Sequence, residues 1–227
     1  MPPVSNTGPR WRLLQIADSA FPTGAFAHSA GLEAAVQVGA VGVAWPMDLY
    51  VRMHLANVGN ASLPFVAAAF DEPAEVWTLD AWFDATLVSH VANRASRTQG
   101  RTFVATCARA FDEPAVAALA ARAGARDVTA HLAPLFGATL AGLGLERRET
   151  LALYLYAALR GVISAAVRLG LMGPHEAQRL QCRHAATLDA VLADCETLTP
   201  EHAASTAPAI DGIGATHDRL YTRLFQS

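Results

Sequence analysis

Three arrays of polar side chains interrupt an otherwise apolar chain, and their spacing limits what each can do. Tyr156, Arg160, Ser164 and Arg168 recur every four residues, which on an α-helix sets them along one gently drifting stripe. Around them Leu151, Leu153, Leu155, Leu159, Val162, Ile163 and Val167 make the helix apolar nearly all round. An arginine is rarely buried without a partner, so this stripe must face solvent, a buried carboxylate or another protein. Snorkelling at a solvent edge is the plain structural reading. Tyrosine and arginine on an apolar background are also the composition of protein-binding hot spots. The second array, His90, Arg94, Arg97 and Arg101, is spaced four, three and four. It makes one basic helical face, either a solvated surface or a seat for an acidic partner, with Gly100 loosening the backbone beside it. The third lies in the tail, where Ile210, Ile213, His217, Leu220 and Leu224 fall at three- and four-residue intervals. Gly212 and Gly214 each weaken such a helix by up to ~1 kcal/mol relative to alanine. A frayed amphipathic segment over residues 208–227 is therefore expected, to be ordered by a partner.

A fourth group sits near the start. Residues 20–33 read AFPTGAFAHSAGLE. Phe21-Pro22-Thr23-Gly24 is a turn, because Pro22 presets φ and Gly24 tolerates the conformation that follows. Thr23 or Ser29 is placed to cap a helix running through Glu33, Val36 and Val38. A turn of small residues would thus present His28, Ser29 and Glu33 at a helix start, which a plain structural bundle does not need.

Composition removes several functions. All 17 basic residues are arginine, so a P-loop lysine, a Schiff-base lysine and a pyridoxal-phosphate attachment are excluded. Against 20 acidic residues the net charge is −3, and no global field favours nucleic acid. Cys107, Cys182 and Cys195 are an odd, widely spaced set without a Cys-x-x-Cys pair, which fits a reducing compartment. The first residues, Met1-Pro2-Pro3, lack a signal-peptide pattern. Residues 151–171 have the apolarity of a membrane span, but Arg160 at the centre and Arg168 near the end are costly in lipid, and a buried helix of a soluble protein is expected.

The eight histidines are scattered without a His-x-x-x-His. Cys182 and His184 would point to different helical faces, and His175 with Cys182 is only a pair. No metal site is expected. Neither Gly-x-Ser-x-Gly nor His-Glu-x-x-His occurs, and the acids near histidines, Glu33 by His28 and Glu176 by His175, lack a third group. Neither catalytic residues nor a cofactor are expected.

The elements that must position these arrays all read as helices. Helical patterns cover Trp11–Asp18, Ala27–Val38, a segment opened by Pro46, then Pro64–Phe70, Pro73–Ala95, Arg97–Phe111 and a short run from Pro114. Beyond them come His131–Leu143, capped by Asp127, then Glu146–Leu169, Pro174–Cys195 and a start at Thr199-Pro200. The expectation is an all-α bundle of about ten helices, one domain over residues 10–227 after a disordered tail at residues 1–9.

Three of these segments carry a resemblance. The Pro-x-Gly-x-Phe run into Ser-x-Gly-Leu-Glu at residues 22–33, the Ser164-Ala165-Ala166-Val167-Arg168 segment, and the terminal His217-x-x-Leu220-Tyr221-x-Arg223-Leu224-Phe225-x-Ser227 are similar to signatures of the urease accessory protein F family. The segment from Arg94 to Gly100-Arg101 resembles that family's Arg/Ser-rich stretch. The resemblance implies a cytoplasmic, homodimeric, non-enzymatic assembly factor that bridges accessory protein D (also called H) and the GTPase protein G. In that role it acts on apo-urease, with nickel delivered by a separate metallochaperone. It places partner or self contacts on Tyr156, Arg160, Ser164 and Arg168, on His217, Tyr221, Arg223, Leu224 and Phe225, on Arg94, Arg97 and Arg101, and on His28 and Glu33. Two alternatives stay open: a direct GTPase regulator supplying Arg94, Arg97 or Arg168 in trans, and a nickel carrier.

Overall fold

The structure, a computed structural model, describes residues 8–227. They form helices α1 (Pro9–Ala17), α2 (Leu32–Gln37), α3 (Met47–Ala61), α4 (Leu63–Asp71), α5 (Val76–Thr86) and α6 (His90–Ala110). The chain continues through α7 (Pro114–Ala123), α8 (Leu132–Gly142), α9 (Arg147–Arg168), α10 (Pro174–Arg183), α11 (Ala185–Cys195) and α12 (Pro208–Gly214), with no strand among the described residues. The all-α expectation holds. Of the tail expected at residues 1–9, residues 1–7 lie outside the described residues. Pro9 already occupies the first position of α1, where its missing N–H has no intrahelical role.

Helix α9 is the axis. Its first half sends Leu151, Leu153 and Leu155 into a core with Phe65 and Val66 of α4, Phe103 of α6 and Leu135 of α8. Its second half sends Leu159, Val162 and Ile163 into another with Leu32 of α2, Tyr50 and Leu55 of α3, Leu180 of α10 and Ile210 of α12. By length and composition α9 alone among the described helices could cross a membrane, but half of its apolar window is buried against its neighbours. It stops at Gly170, whose φ of +73° suits glycine. The Leu171 N–H bonds the Ala166 carbonyl and the Gly170 N–H that of Val167, closing the helix with a Schellman pair.

Three expected helices are broken where local signals compete. Pro73–Ala95 divides into a 3-10 turn, α5 and the start of α6. Ser89 ends the interruption by accepting the Ala92 N–H at 3.3 Å, so a cap inside the expected helix starts a new one. Pro174–Cys195 divides at His184, whose φ/ψ leaves the helical region. The tail helix ends at Gly214; a 3-10 turn at His217–Arg219 follows, and the last residues are irregular.

The cap expected from Asp127 is also corrected. Asp127 instead pairs with Arg122 at 2.6 and 2.8 Å, and His131 holds the N-cap position of α8. The acid that orders this corner is Asp80 of α5, 2% exposed. It accepts the main-chain N–H of Thr129, Ala130 and His131 at 3.1, 2.8 and 2.6 Å. Nor does Gly100 loosen α6, which is unbroken there. A Cβ at Gly100 would lie 2.2 Å from the Ala130 carbonyl oxygen, so glycine is what lets this corner seat against the helix.

Candidate functional site

The two segments farthest apart in the chain meet in space. Gly24 and Gly31 adopt φ of +77° and +81°, and Ala30 shares the left-handed region at +54°. This kinked entry turns Glu33, in the first turn of α2, inward. Glu33 is 2% exposed. Its Oε2 lies 2.9 Å from His217 Nε2 and accepts the Phe225 N–H at 3.2 Å, while Oε1 accepts the Leu224 N–H at 2.6 Å. A carboxylate oxygen is acceptor-only, so it suits a strand-like end with free N–H groups.

The rest of the junction completes the clamp. The Ser29 N–H and Oγ donate to the Ser227 main-chain oxygen at 2.6 and 3.0 Å. His28 Nδ1 is 2.5 Å from Ser227 Oγ, and the Gln226 N–H bonds the Ala27 carbonyl at 2.8 Å. Gln37 donates to the Thr222 carbonyl at 2.8 Å. The tail is therefore a docked strap, not a frayed helix. His217 and Phe225 are buried under it, while Tyr221 is 99% and Leu224 61% exposed. The three- and four-residue spacing of the tail's apolar residues misled, because after Gly214 the backbone is not helical and that spacing no longer selects one face.

The stripe on α9 turns toward the same place. Arg168 Nη1 donates to the Phe26 carbonyl, and its guanidinium lies between two rings, 3.8 Å from the Phe26 centroid and 4.1 Å from that of Phe225. Burial lowers its pKa. Arg160 donates to the Ala17 carbonyl at the end of α1 and lies 5.8 Å from the Tyr156 ring. Tyr156 accepts from Gln181 Nε2 at 3.3 Å, and Ser164 is half-buried. All four residues of the stripe are half-buried, and its two arginines spend donors on main-chain carbonyls and stack on aromatic faces of the same chain. A cleft of about 390 Å³ lies beneath, lined among others by His28, His54, Arg160 and Asp211.

The basic face of α6 joins the strap through a residue the motifs did not single out. Asp218 accepts Arg94 Nη1 and Nη2 at 3.1 and 2.8 Å, sits 3.1 Å from His90 Nε2, and is 3.5 Å from Arg223 Nη1. The Arg94 hydrogen bonds hold its carboxyl below the ordinary aspartate range. Arg101 instead donates inward to the Ala123 and Val128 carbonyls at 3.2 and 3.0 Å. Arg97 makes no hydrogen bond or ion pair among the described residues. Asp218 lies within the terminal motif, next to His217; that adjacency was the only signal for it. Phe26 closes the Pro-x-Gly-x-Phe run, whereas Tyr50 (whose hydroxyl donates to the Ala30 carbonyl at 2.9 Å) and Gln37 gave no signal.

Two histidines lining the cleft are expected to make the fold acid-sensitive. Burial first, then Arg94 and His217, lowers the pKa of His28, whose Nε2 is buried without a partner. Burial lowers that of His54 from 6.5 to about 4, against a smaller opposing pull from Asp211. The unfolded chain therefore binds more protons than the folded one below pH 6.5, and stability falls as pH drops through that window. For His54 the loss reaches roughly 3 kcal/mol by pH 4. Urea midpoints measured from pH 7 to pH 4 should fall steeply, and His54→Asn should flatten the curve. An unchanged slope in the variant would refute this.

Among the described residues, no three His, Cys, Asp or Glu side chains converge as a metal site. Comparison with known proteins gives a consistent picture. The UreF family model matches residues 46–185. Urease accessory protein F of Arabidopsis thaliana is 36% identical over 222 residues, covering 96% of this chain and 92% of its own length. UreF of Arthrobacter sp. (strain FB24) is 29% identical over 95% of this chain and 96% of its own. The bifunctional urease accessory protein UreEF of Bordetella bronchiseptica is 29% identical over the whole of this chain and 54% of its own length.

Proposed function

The chain belongs to the UreF family of urease accessory proteins, and on that premise we propose that it is a non-enzymatic, cytoplasmic scaffold. As a homodimer it bridges the D/H-type accessory protein and the G-type GTPase during GTP-dependent assembly of the urease nickel centre. It contributes surfaces, holding the GTPase beside apo-urease, while nickel comes from a separate carrier. The observation that supports this most directly is the strap. Its inner side is tied to Glu33 and Arg168, and its outer side offers Tyr221 and Leu224 to solvent. An anchored segment with exposed apolar side chains binds with little ordering cost. The relative that carries the printed name UreEF, a bifunctional accessory protein, favours a role beside other accessory factors.

The test is co-precipitation with the D/H-type and G-type proteins. Tyr221→Ala/Leu224→Ala should reduce capture of at least one partner about tenfold or more, with thermal unfolding unchanged because both side chains are exposed. Undiminished capture of both partners would sink the proposal. The GTPase-regulator reading narrows on one observation: Arg94 is engaged by Asp218 and Arg168 by two rings, whereas Arg97 makes no hydrogen bond or ion pair among the described residues. If Arg97→Ala leaves GTP turnover by the G-type protein unchanged, that reading fails.

A further inference from the structure

The break between α5 and α6 and the first three turns of α6 enclose an open groove lined by Val88, His90, Asn93, Arg94, Arg97 and Arg101. Three features bear on what fits it. Its ionisable lining residues are all cations or histidine, so a carboxylate-bearing occupant is complementary to it. One carboxylate is already seated at its edge: Asp218, brought by the strap and held by both terminal nitrogens of Arg94 with His90 beside it. Arg97, one turn further along, is half-buried and has no partner among the described residues. Asp84 of α5 feels the charge of Arg97, but its hydrogen bonds go to Asn93 Nδ2 at 2.7 Å and His131 Nε2 at 2.9 Å. Val88, 90% exposed, stands on the rim, an apolar contact of the kind a polypeptide uses and a bare anion does not.

We propose that this groove docks an acidic segment of a partner protein with Arg97 as its anchor, and that Asp218 of the strap competes for the same cations. The geometry makes the two occupancies antagonistic. A guanidinium that pairs with one carboxylate through both terminal nitrogens has its best geometry already used, so an incoming acid gains Arg94 only as Asp218 lets go. Asp218 adjoins His217, which rests on Glu33, so release at the groove is passed to the clamp that holds Leu224 and Phe225. The inference rests on the scaffold reading only in requiring that the chain bind other proteins.

Fluorescence anisotropy of a labelled eight-residue peptide alternating Glu and Ser tests it at low salt, where surface ion pairing is least screened. The peptide should bind wild type, and its Gln-for-Glu counterpart should not. Arg97→Glu should weaken binding about tenfold or more and Arg97→Gln less, with circular dichroism confirming that both are folded. Asp218→Asn should tighten binding severalfold, since it frees Arg94. Three outcomes overturn the proposal: binding indifferent to Arg97, binding unchanged or weakened in Asp218→Asn, or tighter binding of a single-stranded octanucleotide than of the peptide. Loss of D/H-type and G-type capture by wild type would instead defeat the scaffold reading and leave the peptide result intact.

Discussion

Glu33→Ala should release the strap. The substitution removes the acceptor for the Leu224 and Phe225 N–H groups and the partner of buried His217 in one step. Breaking a buried charged contact while leaving its partners inside costs about 3–5 kcal/mol. The chain has a cheaper route, because residues 217–227 can lift off and hydrate those groups. The cost then appears as local opening rather than global unfolding. Arg219 and Arg223 lie within this segment, so tryptic cleavage after them reports the opening directly. At about 3 kcal/mol or more, the rate should rise at least roughly a hundredfold, since each 1.4 kcal/mol is a factor of ten. The amides of Leu224 and Phe225 should lose hydrogen-exchange protection while those of α4, α8 and α9 keep theirs. Glu33→Gln should fall between, since its amide retains one acceptor but presents a donor to another donor. Cleavage at the wild-type rate in Glu33→Ala would show that the clamp does not hold the tail.

The second large effect concerns the crossing of α4 and α8. At Gly137 a Cβ would stand 2.1 Å from the Val66 carbonyl oxygen and 3.0 Å from the Phe70 nitrogen. These are main-chain atoms inside a helix and cannot rotate aside, so Gly137→Ala must push the helices apart. Overpacking a core typically costs 1–3 kcal/mol and occasionally more. It outweighs the up to ~1 kcal/mol that alanine gains over glycine in a helix. A net loss near 2 kcal/mol lowers the melting temperature by about 4–8 °C in a chain of this size. Gly161→Ala in the middle of α9 is the matched control: beyond the backbone of its own helical turns, no heavy atom lies within 4 Å of its Cβ position, so the propensity gain should stand alone and the melting temperature should rise. Shifts of the same sign in both variants would contradict the packing argument.

Both effects come from contacts that the linear order of residues hides in different degrees. Helix α9 was legible almost to its last residue, because apolar density, a glycine stop and the absence of proline act over a few residues. The turn at residues 21–24 and the proline-started α7 and α10 were legible for the same reason. The breaks at Leu87–Ser89 and His184 were not. There a serine cap or a lone non-helical residue overrides an apolar pattern that continues on both sides.

The candidate site divides along the same line. Its residue types were visible: Glu33, His217, Arg94, Arg160 and Arg168 were all marked by charge on apolar ground or by motif. What each would touch was not. Glu33 and His217 are separated by 184 positions, and neither periodicity nor propensity links such distant residues. Arg160 and Arg168 end on the carbonyls of Ala17 and Phe26, and every residue carries a carbonyl, so side-chain identity cannot announce that partner. By itself the sequence determined the all-α class, the long helix α9, the absence of lysine chemistry and the stripes of cations and aromatics. Only the tertiary structure decided that most of those stripes close on the chain's own backbone and tail. The reason is physical: helix formation is local, whereas the satisfaction of a buried charge depends on whichever donor or acceptor the fold brings within 3 Å.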